Sequence, residues 1–404
     1  MLNNNEKKTI LVLTSSFPRW EGDTKSCFVY ELSKRLSKEF NVIILAPHDK
    51  NCKTNETFGG CKIYRFKYAP EKFEVLAYNA GILSNLKHNR LAYLLIPFFF
   101  VAQYISIKKI LKEYNIDLIH AHWVIPQGMT AMIASYFSQK KYRLLITTHG
   151  GDLFSLNYKV FHFLKQKIFQ QADYITVVSN AMKRHIILNY TNIHSHTSVI
   201  PMGTDLKKTF IPNKKIQRNE DQIVFVGRLV EKKGLTELLN TMKLLIEKSS
   251  KIKLIIIGSG PEKKHLIKQV NQLNISSHIS FVGHLPPDKI VDYYQKASIA
   301  VFPFKVAENG DQEGFGLVVI EAMGCACPVI AGNVPAVHDS VIDKQTGLLV
   351  EPKNTQALAD KIYHLLKDKK LQKELSLNAY KNVVEKYDWD RISNKYADII
   401  KNLL

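Results

Sequence analysis

Residues Phe225–Leu239 read FVGRLVEKKGLTELL. An apolar run ends at Gly227. A turn carrying Arg228 and Lys233 closes at Gly234, and Leu235, Leu238 and Leu239 then fall on one side of a helical period. This is a strand, a tight turn and an amphipathic helix, the unit from which parallel sheets are assembled. The unit recurs on both sides. Downstream, Leu254–Ile257, Ile279–Val282, Ile299–Phe302, Pro328–Ala331 and Leu348–Val350 join Ile223–Val226 as short apolar strands separated by helix-length stretches. Upstream, Ile10–Leu13, Val42–Ala46, Asp117–His120, Leu144–Thr148, Tyr174–Val178 and Val199–Pro201 keep the same rhythm.

Short strands that are apolar throughout, alternating with helices, belong in sheets covered on both faces. The segment Ser26–Lys38 fits a covering helix, with Phe28, Val29, Leu32 and Leu36 on one face. Between the halves, Asp205–Asp221 (DLKKTFIPNKKIQRNED) is polar, basic and aperiodic, and reads as a linker. The predicted architecture is therefore α/β, with two doubly wound domains facing a central cleft. Ligands are expected at the carboxyl ends of the strands.

Composition narrows the classes. The chain has 404 residues, 46% hydrophobic and 23% charged, the balance of folded globular domains. Five Cys without a C-x-x-C pattern exclude a disulfide scaffold or zinc ribbon and suit a reducing cytoplasm. The N-terminal MLNNNEKKTILVLTSSF lacks the shape of a signal peptide, so a cytoplasmic location is expected. Net charge is +20, with 26 basic against 13 acidic residues in 1–200 and 30 against 23 in 201–404. A basic first half could face anionic lipid or a polyanion, or be a solvated surface. Leu91–Ile107 (LAYLLIPFFFVAQYISI) is uncharged but holds Pro97 and is short for a span. It reads as a helix packed on a soluble domain or as an element lying on a membrane surface.

Three groups of residues can carry chemistry. In DQEGFGLVVIEAMG (Asp311–Gly324), Glu313 and Glu321 are eight residues apart, too far along a helix (~12 Å) to flank one bond. They suit two ends of one long ligand. Gly314 and Gly316 let backbone approach it, and the helix start after Gly316 offers amides to a phosphate. In the Phe225–Leu239 unit, Arg228 and Lys233 sit at a strand end beside a helix start and suit a diphosphate, with Lys232 a decoy beside them. The Gly-Ser-Gly of Ile255–Leu266 reads as a tight turn. In the first half, HAHWVIPQGM (His120–Met129) and TTHGGDLF (Thr147–Phe154) place His122, His149 and Asp152 after strands. Their spacing is not that of metal ligands, so hydrogen bonding to a sugar or an acceptor hydroxyl is the expectation. Gly22 lies in a long loop after the first strand.

These pieces, taken in order, resemble the retaining glycosyltransferases of family 4. The matching stretches are SSFPRWEGD, HAHWVIPQG, THGGD, IPMGTD, GRLVEKKG, GSGP and EGFGL with its second glutamate at Glu321. The resemblance implies a GT-B fold with Rossmann-like domains over 1–207 (acceptor side) and 208–386 (nucleotide-sugar side). It also implies a C-terminal helix over 387–404 returning to the first domain. Arg228 and Lys233 would grip the donor diphosphate, Glu321 the ribose and Glu313 the donor sugar. Backbone at Gly314, Phe315, Gly316 and Leu317 would hold phosphate or sugar. His149 would contact the donor sugar at the reacting centre, Gly22 would approach the donor, and His122 and Asp152 would serve the acceptor side. No metal and no cofactor are implied beyond a nucleotide sugar, UDP- or GDP-linked, as substrate. The expected partner is a lipid-linked or soluble saccharide acceptor and no nucleic acid. The basic first half and Leu91–Ile107, rather than the resemblance, favour the lipid-linked one, in cell-surface glycan synthesis with membrane-surface contact at the inner face of the plasma membrane. The first loop has Gly22-Asp23 where many members have paired glycines, and AGNVPAVHD after Ile330 lacks a frequent Gly-Gly pair. A nucleotide-sugar isomerase on a related fold is the rival enzyme. A polyanion binder is disfavoured because no RNA-module motif is present.

Overall fold

The structure, a computed structural model, describes residues 7–24, 27–78, 81–138, 140–156, 158–193, 196–308 and 310–404. The chain divides into two compact units, Met1–Met202 with Ile392–Leu404, and Gly203–Arg391.

The first unit is built on an eight-stranded sheet: β1 (Thr9–Leu13), β2 (Asn41–Pro47), β3 (Asn55–Phe58), β4 (Cys61–Phe66), β5 (Leu118–His122), β6 (Arg143–Thr148), β7 (Tyr174–Val177) and β8 (Thr197–Val199). Its order is β3-β4-β2-β1-β5-β6-β7-β8, parallel except for the β3–β4 pair. The second carries β9 (Asn219–Val226), β10 (Lys253–Ile257), β11 (Ile279–Gly283), β12 (Ala297–Phe302), β13 (Val329–Gly332) and β14 (Leu348–Val350). Its order is β11-β10-β9-β12-β13-β14, all parallel. That is the doubly wound order, whose direction reverses between β9 and β12. In the first unit the reversal falls between β1 and β5. Central strands such as β1, β5 and β12 are buried almost end to end, which is why they read as continuous apolar runs.

Several boundaries differ from the sequence reading. The first covering helix is Phe28–Leu36, and the expected Ser26 lies outside the described residues. β8 overlaps the expected Val199–Pro201 only at Val199 and begins two residues earlier. The β3–β4 hairpin is an addition to the expected strands, and its two-residue Gly59-Gly60 turn, both at positive φ, is a strong hairpin signal. The units part after Met202 rather than after residue 207, and Asp205–Arg218 is no linker. Leu206 and Phe210 are buried, and Arg218 donates to the carbonyls of Tyr294, Ala297, Cys325 and Ala326 at 2.7–2.9 Å. The last helix, Trp389–Leu403, packs Tyr396 into the first unit, its hydroxyl 3.3 Å from Thr176 Oγ1.

The Gly-Ser-Gly turn proves to be a packing device. A Cβ on Gly258 (φ +142°) would lie 1.8 Å from the Gly227 carbonyl oxygen, and one on Gly260 would lie 2.3 Å from that of Leu229. Leu229 N in turn donates to Ser259 O at 3.0 Å. Gly258→Ala therefore forces backbone apart, and urea unfolding is expected to show a loss of more than about 3 kcal/mol.

Candidate active site

Two groups of candidate side chains form, one in each unit, at the carboxyl ends of β9 and β12 in the second and of β5 and β6 in the first.

In the second unit, β9 ends at Val226 and the chain turns through Glu231–Lys233 into the helix Leu235–Lys248. Gly234 makes the turn possible: it holds φ +70°, and a Cβ there would lie 1.8 Å from Pro303 O. The turn presses Lys233 against the loop after β12. Lys233 Nζ bonds Glu313 Oε2 at 2.7 Å and sits 4.6 Å above the Phe304 ring. Burial alone would raise Glu313, but Lys233, Lys232 and Arg228 outweigh it and bring its carboxyl down to about 2. Burial lowers Lys233, and Glu313 opposes that. The pair is thus an ion pair held largely out of water. Lys232 is no decoy. It donates to Asp311 Oδ1 at 2.9 Å and to Gln312 O at 3.0 Å, pinning the loop that presents Glu313. Arg228 is exposed on the same turn.

Beyond Glu313, Gly314 and Phe315 are buried, and the Phe315 ring packs 5.3 Å from that of Tyr387. Gly316 (φ +86°) caps the helix Leu317–Gly324, whose first amides, at Leu317 and Val318, have no helical carbonyl to bond. Glu321 lies one turn further on. Burial pushes its carboxyl up to about 7, with Lys233 and the Tyr294 hydroxyl pulling the other way. The two glutamates do not share a proton: one is held ionised and the other titrates near neutrality.

In the first unit, His122 Nδ1 and His149 Nε2 lie 2.9 Å apart, so one ring donates to the other. Trp123 and Phe28 flank His149 with ring centroids at 4.9 and 5.0 Å. Burial, helped by His120, pushes His149 down to about 3, and burial with both neighbours takes His122 well below its ordinary value. Both are neutral imidazoles at neutral pH. His122 is fully buried and supports His149 from behind, whereas His149 is mostly buried. Asp152 is a brace rather than a presented group. Its Oδ2 accepts from Val124 N (2.8 Å), and its Oδ1 accepts from His149 N (3.0 Å) and Thr148 Oγ1 (2.9 Å). The three residues do not converge as ligands of one ion. Lys165, unremarked in the sequence, donates to Leu153 O and Ser155 O at 2.8 and 2.7 Å and so anchors the turn carrying Asp152. Its place on the Ile168–Phe169 face of its helix was the available signal. Gly22 (φ +87°) stands in open space beside the Arg19–Asp23 ion pair, and the adjoining Lys25 and Ser26 lie outside the described residues.

Residues 27–208 match the family described as Glycosyltransferase Family 4, and residues 207–382 match Glycosyl transferases group 1. The chain belongs to glycosyltransferase family 4. An uncharacterized glycosyltransferase of Methanocaldococcus jannaschii is 31% identical over 289 residues, covering 70% of this chain and 75% of the relative. The capsular polysaccharide biosynthesis glycosyltransferase CapM of Staphylococcus aureus is 27% identical over 68% of this chain and 75% of its own. Among solved structures, Anabaena HepE in complex with UDP and glucose superposes with a TM-score of 0.73 at 18% identity, over 98% of this chain and 100% of that one. These matches make the chain a glycosyltransferase with the two parallel-sheet domains of the GT-B type.

The Lys233–Glu313 pair makes a stability prediction. Lys233→Met leaves a buried carboxylate uncompensated and is expected to cost about 3 kcal/mol, with Glu313→Gln in the same chain restoring part of it. Glu313 is depressed in the fold. Its contribution is therefore complete above the unfolded carboxyl pKa and fades as pH falls toward about 2. Urea midpoints of wild type and Lys233→Met should converge on acidification.

Proposed function

We propose that this glycosyltransferase moves a sugar, with retention at the anomeric carbon, from a UDP- or GDP-linked donor to a hydroxyl of a saccharide acceptor. The acceptor is lipid-linked and belongs to cell-surface glycan assembly, and the enzyme works in the cytoplasm at the inner face of the plasma membrane. The observation that carries the reading is the buried Lys233–Glu313 pair beside the helix start at Gly316. Cation, ionised carboxylate and unbonded amides together fit a diphosphate joined to a polyhydroxyl ring. HepE's UDP and glucose, and the polysaccharide role in CapM's name, agree with it.

The steps follow from the groups present. The bond from the anomeric carbon to the diphosphate oxygen breaks, and its electron pair leaves with the diphosphate. Arg228, Lys233 and the amides of Leu317 and Val318 stabilise that charge without a metal. Glu313 accepts from donor sugar hydroxyls and Glu321 from the ribose. Backbone at Gly314, Phe315 and Gly316 lets the donor lie close. His149, neutral, bonds a donor hydroxyl through the ring nitrogen not engaged with His122, while Asp152 fixes its loop and Gly22 leaves room for the donor. The acceptor oxygen attacks from the departing face and its proton passes to the leaving diphosphate.

The test is a screen of UDP-, GDP-, ADP- and dTDP-sugars with a lipid extract and with soluble oligosaccharides, followed by mass spectrometry. Consumption of one donor with its sugar on an acceptor in the α-configuration is expected from an α-linked donor. Conversion of a donor into its isomer would replace the reading with isomerisation. Glu313→Gln and Lys233→Ala are each expected to lower turnover by roughly a hundredfold or more; near-normal rates in either folded variant would remove these roles. Glu321 gives a second check. Its ionised form accepts from two vicinal hydroxyls, so nucleotide affinity by calorimetry should tighten as pH rises through about 7. Glu321→Gln should flatten that step.

A further inference from the structure

The helical segment formed by Arg90–Leu95 and Ile96–Glu113 has two unlike faces. One is built into the first unit. Phe99 is buried with its ring 5.0 Å from Phe66 and 5.2 Å from Tyr68, Gln103 Oε1 accepts from Thr130 Oγ1 at 2.9 Å, and Ile107 and Ile110 are buried below them. The other face is bare. Leu91, Leu94, Phe98, Val101 and Ile105 are 75, 69, 62, 56 and 59% exposed. Their steps of three and four residues form one continuous stripe along the helix. Lys108 Nζ reaches the Phe137 carbonyl at 2.8 Å, so the exposed Tyr136 and Phe137 widen the stripe at one end. So large an apolar patch on a soluble unit marks a contact surface.

The charges around it name the partner. On the bare face the apolar stripe gives way to Arg90 at one end and to Lys109 and Lys112 at the other, all exposed. Lys140 and Lys141 follow Phe137 and are exposed too. From Gly81 to Arg143 the chain holds eight Lys and Arg against only Glu113 and Asp117. An apolar centre with a cationic rim is complementary to a bilayer surface bearing anionic headgroups, the apolar side chains entering the acyl boundary and the cations meeting phosphate. The helix is long and apolar enough to cross a membrane by composition. Crossing would require pulling Phe99, Gln103 and Ile107 out of the unit's core, so the packed face restricts it to lying in the surface.

We propose that this stripe docks the enzyme on an anionic bilayer, with the helix parallel to the membrane plane. The proposal deepens the membrane-face location in the glycosyl-transfer reading by naming the surface that would hold it, and its failure is separable from that of the transfer reading because docking is read with neither donor nor acceptor present. The full-length protein would be floated with vesicles of phosphatidylcholine alone and of phosphatidylcholine with phosphatidylglycerol. Flotation is expected with the anionic vesicles only, and less of it at raised salt. Phe98→Asp with Val101→Asp should cut the bound fraction about tenfold or more, since both side chains leave water only on the membrane. Lys109→Glu with Lys112→Glu should weaken binding and flatten its salt dependence. All four positions are exposed, and unchanged thermal melting verifies that the variants are folded. No flotation at low salt, or flotation indifferent to Phe98 and Val101, overturns the proposal. Sedimentation showing a dimer that the same aspartates dissociate also overturns it, assigning the stripe to a second copy of this chain.

Discussion

Backbone lies directly against backbone where the strands of the second sheet end, and the site there depends on it. The turn after β9 touches the Pro303 carbonyl at Gly234 and the turn after β10 at Gly227, while Gly332 at the end of β13 meets the Phe304 carbonyl, which a Cβ would approach to 2.0 Å. No side chain fits between these turns. A doubly wound sheet already brings the ends of β9 and β12 side by side at its reversal. Glycine shortens the remaining distance until Lys232 and Lys233 reach across to Asp311, Gln312 and Glu313. The ion pairing at these strand ends is thus a consequence of chain packing that only glycine permits.

That closeness sorts two glutamates of one short segment into different chemistry. Glu313 meets a cation within hydrogen-bond distance and stays ionised, whereas Glu321, one helix face away, has burial without a comparable partner and titrates near neutrality. The first unit uses burial in the opposite sense. Its histidines face one another and a hydroxyl network, with His120 Nε2 2.7 Å from Thr147 Oγ1, and burial keeps all three neutral. Fixed charge and fixed neutrality are therefore obtained from the same kind of loop, and the difference lies only in which residue type stands opposite.

Periodicity made the twelve strands expected from the sequence legible because most carry a short apolar run, and the loop residues that follow them were legible by position alone. The resemblance to family 4 added roles that spacing could not supply. What escaped was decided by neighbours distant in sequence. Whether Lys232 or Lys233 meets Glu313 depends on the sense of one turn. Whether Asp152 faces a substrate or a backbone amide depends on where Val124 ends up. Arg218 looked like linker charge because its four carbonyl partners belong to segments far along the chain. The Gly59-Gly60 hairpin is different: its turn signal is in the sequence, but β3 and β4 are short and half polar and give no apolar run beside it.

The same reasoning explains why Leu91–Ile107 could be read in more than one way. Composition averages over a helix and reports it as apolar throughout, but apolar residues here serve two faces with different neighbours. Those at Phe99, Ile107 and Ile110 complete the first unit's core. Those at Leu94, Phe98, Val101 and Ile105 touch no core, although they lie within the same few turns. A helix that only stabilised the unit would carry polar groups on its second face, as Phe28–Leu36 does with Lys34 and Arg35. Keeping that face apolar costs solubility unless something covers it, and the cationic rim limits what that can be.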